Sequence, residues 1–283
     1  VIWLPTPYNG LTEPTFNNKF VSHISTHEAQ YVFHASGFNL QLGSAEGDSA
    51  ASNDIGGGTI NRTRNRAWPA YTYVRYELFP QLLVEAGVSK DRQNDDAGFR
   101  QRYSNPKVGL RWQVVPNGTL RLASFRVVNR FLANSATLEP SQVGGFNQFY
   151  NDGLGFGIRA RNKGVGWDQT LGHGVSYGAE TLQRTLDVPV SGSYNIFDER
   201  NKRAYLNWAI PTQILKPMLP GWEGALSLVY DSQTYRRNQA TGIEQIREYT
   251  PRHLRLAATL AHSSGLGLNL AFNRVSAKGI YHE

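Results

Sequence analysis

The chain has 283 residues and a formal net charge of +7, from 29 Lys and Arg against 22 Asp and Glu. The absence of cysteine excludes a zinc ribbon, a disulfide framework and a thiol nucleophile. The basic residues are dispersed rather than gathered in runs, apart from Arg62, Arg64 and Arg66, which argues against a nucleic-acid partner.

The hydropathy pattern excludes a transmembrane helix, because no run approaches the ~18 to 20 apolar residues that such a helix needs. The mean hydropathy of −0.44 would suit a soluble protein. A membrane β-barrel, however, shows its apolar half only at every second residue, so the average value does not exclude membrane insertion. The 14 tyrosines, 13 phenylalanines and 28 glycines favour strands and turns.

The first half of the chain predicts an irregular start and then strand pairs. Residues 1–18 contain three prolines and predict an irregular lead-in. Strands are predicted at 30–42, 71–79, 82–90, 108–115 and 119–128, with a long loop at 43–66. The last two strands flank Pro116-Asn117-Gly118, and Asn-Gly is a strong hairpin signal because both residues tolerate positive φ.

The second half continues the pattern and ends on its clearest hairpin. Further strands are predicted at 142–150, 155–171 with a break near Gly164, 175–186, 203–210, 224–235 and in the pair 252–273. In the last strand Leu268, Leu270 and Phe272 alternate with Asn269 and Ala271. At ~9 to 11 residues per span, the sequence predicts an all-β, antiparallel transmembrane β-barrel of roughly 12 to 14 strands. This barrel would be a single domain over residues 19–283, and it could be incomplete at the C-terminus.

Several segments carry a resemblance to a known family. These are PKVGLRWQVVPNGTLRLASFRVVNR, LEPSQVGGFNQFYND and GVGWDQTLGHGVSYGAETLQRTLDVPV between residues 106 and 190, and the final YTPRHLRLAATLAHSSGLGLNLAFNRV. They resemble TonB-dependent-receptor-like outer-membrane barrels, of the plugless kind attached to tetratricopeptide-repeat proteins in proteobacteria. The resemblance implies a bacterial outer-membrane location, contact with outer-membrane lipid, and a periplasmic repeat domain or other envelope proteins as partners.

The alternation also predicts a polar lumen rich in arginine. With leucines and aromatic residues facing lipid, the lumen candidates are Arg75, Arg111, Arg121, Arg159, Arg161, Arg184 and Arg255. Guanidinium groups along a pore would attract carboxylate or phosphate solutes. The alternative is that these arginines form cross-strand ion pairs with Glu77, Glu180 and Asp231. A register error of one residue would turn the whole set outward.

Enzymatic and soluble alternatives rest on weaker patterns. Gly174-Val175-Ser176-Tyr177-Gly178 matches a G-x-S-x-G nucleophile elbow, with His173 beside it, but a glycine-rich hairpin turn explains it as well. An outer-membrane hydrolase and a soluble carbohydrate-binding β-sandwich therefore stay open. The histidines have no metal-ligand spacing, so neither a metal, a cofactor nor a catalytic residue is predicted. The sequence favours a non-enzymatic channel or envelope-assembly anchor that passes a polar, anionic solute or polymer.

Overall fold

The wall of the molecule is one antiparallel sheet. The computed structural model describes residues 19–54, 60–96, 98, 100–130, 137–149, 157–190, 193–237 and 246–281. Within these residues twelve strands form a single sheet and two short strands form a separate hairpin. No helix among the described residues has the length and hydropathy needed to cross a membrane.

The strands follow one another around the sheet in chain order. They are β1 (Lys19–Ala35), β2 (Phe38–Asp54), β3 (Ile60–Phe79), β4 (Leu82–Asp95), β5 (Arg100–Val115), β6 (Gly118–Val128), β7 (Gln142–Val143), β8 (Phe146–Asn147), β9 (Arg159–Thr170), β10 (Val175–Val190), β11 (Ser193–Ile210), β12 (Trp222–Arg237), β13 (Ile246–His262) and β14 (Gly267–Tyr281), with a short helix α1 (Thr212–Leu215) before β12. The β7–β8 hairpin is not part of the wall, so β6 pairs directly with β9. Among the described residues β1 and β14 each pair on one side only.

The two faces of the sheet differ as expected for a membrane barrel. The outer face carries exposed apolar side chains, such as Leu268, Leu270 and Phe272 in β14. On the opposite face of β5, Lys107 and Gly109 are buried between exposed neighbours. The apolar outer band suits lipid, because in a barrel the lipid-facing and lumen-facing residues alternate along each strand.

The connections at the two ends of the sheet are unequal. Five of the six connections at one end are short turns, such as the β5–β6 turn where Asn117 adopts φ 58°, and the sixth is the longer stretch 211–221 with α1. The longest connection, residues 129–158, joins two strands at the other end. Outer-membrane barrels have short periplasmic turns and longer extracellular loops. We therefore expect the first end to be periplasmic and the opposite end, which we call the loop end, to face outward.

The predicted fold is confirmed, and its twelve wall strands lie within the predicted range. A β-sandwich is wrong, because the wall is one sheet and not two packed sheets. The predicted loop at 43–66 is also wrong for its described residues. There β2 and β3 pair from Phe38 to Asp54, and Arg64 of β3 binds Asp48 of β2 at 2.7 Å. The predicted lead-in at 1–18 lies outside the described residues.

Candidate functional site

A segment of the connection between β6 and β9 lies against the inner face of the sheet. We call residues 137–149 the inward segment. Its first residues are held by β1, where the Leu138 N–H donates to Glu28 Oε2 at 2.8 Å. Gln30 Nε2 donates to the Leu138 carbonyl oxygen, also at 2.8 Å. The predicted wall strand at 142–150 is therefore wrong, because β7 and β8 pair with each other on the inner side of the wall and not with a wall strand.

The centre of the inward segment is a buried ion pair. Glu139, whose side chain is 0% exposed, lies 2.9 Å from Lys107 Nζ and 2.7 Å from Arg130 Nη1. The Tyr73 hydroxyl donates to Glu139 Oε1 at 2.6 Å, and Arg130 also pairs with Asp91. Two cations thus face two carboxylates, and buried charges are tolerated only when paired in this way.

The pKa of Glu139 reflects this pairing. Burial alone would raise that pKa, because it disfavours the charged form. The positive charges of Arg130 and Lys107 outweigh burial, and they lower the pKa of Glu139 from 4.5 to about 2. The Glu139 carboxylate is therefore ionised at neutral pH.

The backbone of the β7–β8 turn is in close contact with the inner face of the wall. Gly144 has φ +57°, and its N–H donates to Glu85 Oε2 at 3.0 Å. A Cβ at Gly144 would lie 2.4 Å from the Leu122 carbonyl oxygen and 3.0 Å from the Cα of Gly109. Only glycine fits both the positive φ and this close approach.

Arg121 fixes the other side of the hairpin. Its guanidinium pairs with Asp168, lies 2.9 Å from Glu180 Oε2, and donates to the Gly145 carbonyl oxygen at 3.0 Å. The same group lies 5.0 Å from the ring centre of Phe146, within cation–π range. Arg121 therefore joins three strands to the inward segment.

Apolar side chains complete the contact between the inward segment and the wall. Val143 and Phe146 are 0% and 3% exposed. They belong to the same cluster as inner-face residues of β3, β6, β9, β10 and β11, namely Tyr71, Tyr73, Ala123, Phe125, Val127, Ala160, Leu186 and Phe197, together with Ile158 just before β9. This cluster packs the inward segment against the inner face of the sheet.

A cavity of about 360 Å³ separates the hairpin from β10–β12. Its lining includes Phe146, Phe149, Glu180, Arg184, Asn201, Arg203, Asp231 and Gln233. Asn201 Oδ1 is buried and has no hydrogen-bond partner among the described residues. Aromatic rings face charged and amide groups across this cavity, so it can hold a polar molecule.

One register row of charged residues runs along the inner face, and its members Glu180, Arg203 and Asp231 also line this cavity. Cross-strand pairing links Arg111 to Arg121, Glu180 to Arg203, and Asp231 to His253. Arg203 lies 3.7 Å from Asp231, and both side chains are about half exposed. The row therefore contains charges of both signs, and its side chains are exposed to solvent at the β11–β13 end.

Five of the seven predicted lumen arginines lie on the inner face. Arg75 pairs with Glu85 at 3.2 Å, Arg184 pairs with Glu199 at 3.3 Å, and Arg121 pairs as described above. Arg111 and Arg255 are exposed and form no ion pair with any described residue. The structure does not gather the five into one site.

Arg159 and Arg161 lie on the outer face, so their predicted lumen orientation is wrong. We expected a break in this strand near Gly164, but β9 is continuous from Arg159 to Thr170. Gly164 fits under the ring of Phe146, where a Cβ would lie 2.9 Å from Phe146 Cδ1. Both arginines therefore share the outward phase of Val165, and they pair with Asp187.

The G-x-S-x-G sequence forms a hairpin turn. His173 and Gly174 have positive φ, and Ser176 is inside strand β10, opposite Thr170 and Asn207. A nucleophile elbow needs a helix after the serine, but a strand follows here. Within the described residues no group of His, Asp and Glu could hold a metal ion.

The residues at the centre of the inward segment were missed at the sequence level. Glu139, Gln148 and Lys107 are among the least exposed side chains of the chain. The stretch Leu138-Glu139-Pro140-Ser141-Gln142 begins one of the segments that carry the family resemblance and leads into the predicted wall strand at 142–150. The signal that could have found it is the pair Gly144-Gly145, which breaks the alternation in the middle of the predicted strand.

Comparisons with known proteins agree with this architecture. No family model and no curated protein matches the sequence. Similar solved structures are the copper transporter OprC (TM-score 0.55, 8% identity, 92% of this chain and 48% of that chain) and the FrpB iron transporter from Neisseria meningitidis (0.52, 10%, 92% and 48%). The ferric-catecholate import receptor Fiu from E. coli K12 is also similar (0.50, 10%, 91% and 48%).

The chain spans about half the length of these proteins. Its fold is that of a TonB-dependent-receptor-like outer-membrane barrel. This fold and the apolar outer band agree with the expected location in the bacterial outer membrane.

Proposed function

We propose that the chain forms the wall of an outer-membrane channel for a polar solute or polymer, and that the inward segment narrows the passage. The observation that carries this proposal is the polar cavity between the hairpin and β10–β12. A channel needs a hydrated, polar lining with few fixed contacts to its solute. The inner face beside the cavity provides charged and amide groups that are open to water.

The anionic character of the solute is the finer part of the proposal. It rests on Arg111 and Arg255, whose guanidinium groups are exposed and form no ion pair with described residues. Glu77 and Glu223 are inner-face carboxylates that are also exposed and also form no ion pair with described residues. These four charges cancel, so the modest preference for anions that we propose depends on where the two arginines lie along the passage and not on an excess of positive charge.

The attachment to a periplasmic repeat domain is also a proposal, supported by the resemblance of residues 106–190 to plugless barrels of that kind. Such a partner would drive or guide the passage of a polymer. An envelope-assembly anchor is the second candidate function, favoured by the extent of the apolar cluster that packs the inward segment against the inner face.

The test is conductance in a planar bilayer before and after the inward segment is released. We expect small steps for the wild-type protein and larger steps for Gly144→Val, because a Cβ at Gly144 collides with the wall. Gly267→Val is the matched control, since a Cβ there meets no atom closer than 4.0 Å. If neither the wild type nor Gly144→Val conducts while both are folded, the channel proposal fails and the anchor is favoured.

A further inference from the structure

Six basic side chains cluster on the outer face, toward the loop end of β6 and β9–β12. They are Arg126, Arg161, Lys163, Arg200, Lys202 and Arg236, and all six are exposed. We call them the basic patch. Their outward direction follows from the burial of their strand neighbours, such as Phe125 beside Arg126 and Asn162 beside Lys163.

The basic patch lies at the edge of the apolar outer band. Along β9 the outward residues change from Trp167 and Val165 to Lys163 and then Arg161 toward the loop end. Along β11 they change from Leu206 and Ala204 to Lys202. Because the loop end faces outward, this edge is at the level of the lipid headgroups of the outer leaflet. Long basic side chains reach from such positions to the headgroups.

The charges of the basic patch are mostly uncompensated by protein. Arg161 lies 3.1 Å from Asp187 and Arg236 lies 3.0 Å from Glu248. Arg126, Lys163, Arg200 and Lys202 form no ion pair within the part of the chain that the structure describes.

The register explains why compensation is lacking. Lys163 is opposite Gln183, and Gln183 is opposite Arg200 on its other side. Arg200 in turn is opposite Thr234. Along this row cations alternate with neutral side chains that can donate hydrogen bonds. The carboxylate of the next row, Asp198, is opposite Arg236 and accepts a hydrogen bond from Thr185.

One pair in the basic patch is unfavourable on its own. Arg126 of β6 is directly opposite Arg161 of β9. Like charges that are directly opposite destabilise a sheet. A groove of about 400 Å³ crosses the surface of β5, β6, β9 and β10, and its lining includes Arg126, Arg161, Lys163, Gln183 and Thr185 together with the apolar Pro106 and Val108. An anion in this groove would remove the repulsion.

The outer face of β2 and β3 shows the contrasting arrangement. Arg64 and Arg66, near the same end of the sheet, both bind Asp48, at 2.7 Å and 3.3 Å. Both outward arginines of the β2–β3 region are thus paired with a carboxylate, whereas four of the six side chains of the basic patch have no such partner among the described residues.

We propose that the basic patch binds the phosphate groups of the phosphorylated glycolipid of the outer leaflet, with the groove across β5, β6, β9 and β10 as its centre. Guanidinium groups bind phosphate oxygens in bidentate geometry, and Lys163 adds a point charge. Gln183 and Thr185 supply donors for sugar and phosphate oxygens. The site does not depend on the channel proposal, because it lies on the opposite face of the wall.

The test measures how much lipid the protein retains. The full protein is reconstituted in phosphatidylethanolamine vesicles that contain bisphosphorylated lipid A, then extracted, and the bound lipid A is counted by native mass spectrometry. We expect Arg126→Gln with Lys163→Gln to lower retention about tenfold. Arg126→Lys with Lys163→Arg keeps both charges and should restore most of it. Arg64→Gln is the matched control and should retain lipid A like the wild type.

Two further arms identify the bound group. Vesicles with dephosphorylated lipid A should give little retention, and inorganic phosphate should not displace the bisphosphorylated form. Equal retention by all variants, equal retention of phosphatidylglycerol, or full displacement by inorganic phosphate would each overturn the proposal. Circular dichroism of each variant in the vesicles confirms that the sheet is intact.

Discussion

The inner face of β3–β11 and the inner face of β12–β14 follow the same alternation but differ in what covers them. In the first region the inward segment buries Lys107 and Glu139 to 1% and 0% side-chain exposure. In the second region every residue of β14 is exposed, and Arg255 of β13 faces solvent. Polar inner-face residues therefore serve as fixed anchors in one region and as water-facing groups in the other.

The difference teaches that an inward arginine is not by itself a solute site. Arg121 pairs with Asp168 and Glu180 and donates a hydrogen bond to the Gly145 carbonyl oxygen. Arg255 has no such contacts among the described residues. The alternation sets the direction of both side chains equally. Their roles differ because only the first region receives the hairpin.

The largest expected effect is the loss of the buried carboxylate. Glu139→Gln leaves Lys107 and Arg130 without their shared partner, and breaking a buried ion pair costs about 3 to 5 kcal/mol. Asp231→Asn removes a half-exposed pair in the other region and should cost about 0.5 kcal/mol or less. Denaturant titration of the protein in vesicles measures both. Similar costs for the two variants would contradict the contrast between the regions.

Next in size is the steric release of the hairpin. Gly144→Val combines a positive φ with overlap on Leu122 and Gly109, at a cost of about 3 kcal/mol. We expect the inward segment to become sensitive to added protease in Gly144→Val but not in Gly267→Val. Equal resistance in both variants would show that the hairpin does not depend on this contact.

The contribution of the buried Glu139 carboxylate to stability depends on pH with a defined sign. Because the pKa of Glu139 is lowered from 4.5 to about 2 in the folded protein, its contribution is complete above pH 4.5 and is lost as the pH falls through about 2. Protease resistance of the inward segment should therefore persist at pH 4 (about two units above the folded-state pKa). Release of the segment between neutral pH and that point would be inconsistent with the buried pair.

The smallest effect on stability is expected for two exposed inner-face arginines, Arg111 of β5 and Arg255 of β13. Arg111→Gln and Arg255→Gln should each change the free energy of unfolding by about 0.5 kcal/mol or less. Both should nevertheless shift the reversal potential in a salt gradient toward cation preference. Arg64→Gln, on the outer face, serves as the control and should leave the reversal potential unchanged.

The alternation of the sequence was sufficient to predict the wall. Leu268, Leu270 and Phe272 indicate a lipid face without further information, and Asn117-Gly118 fixes one turn. The phase of β9 was lost because Gly164 looked like a break, and its accommodation depends on Phe146 from a distant segment.

The anchors of the inward segment could not be found from local pattern. Glu139 is 32 residues from Lys107 and 66 residues from Tyr73 along the chain, so its burial follows only from the return of the segment into the sheet. The lumen arginines were identified by direction alone, and direction does not tell which of them find carboxylate partners.

The most direct test of the account is the water accessibility of single cysteines, since the chain has none of its own. Val143→Cys places a thiol in the hairpin at a site that is 0% exposed, and Asn273→Cys places one on the exposed inner face of β14. We predict that a polar maleimide labels Asn273→Cys rapidly and Val143→Cys about a hundredfold more slowly, because reaction at the hairpin requires local opening. Equal labelling rates in the folded protein would contradict the claim that the inward segment is packed on the wall.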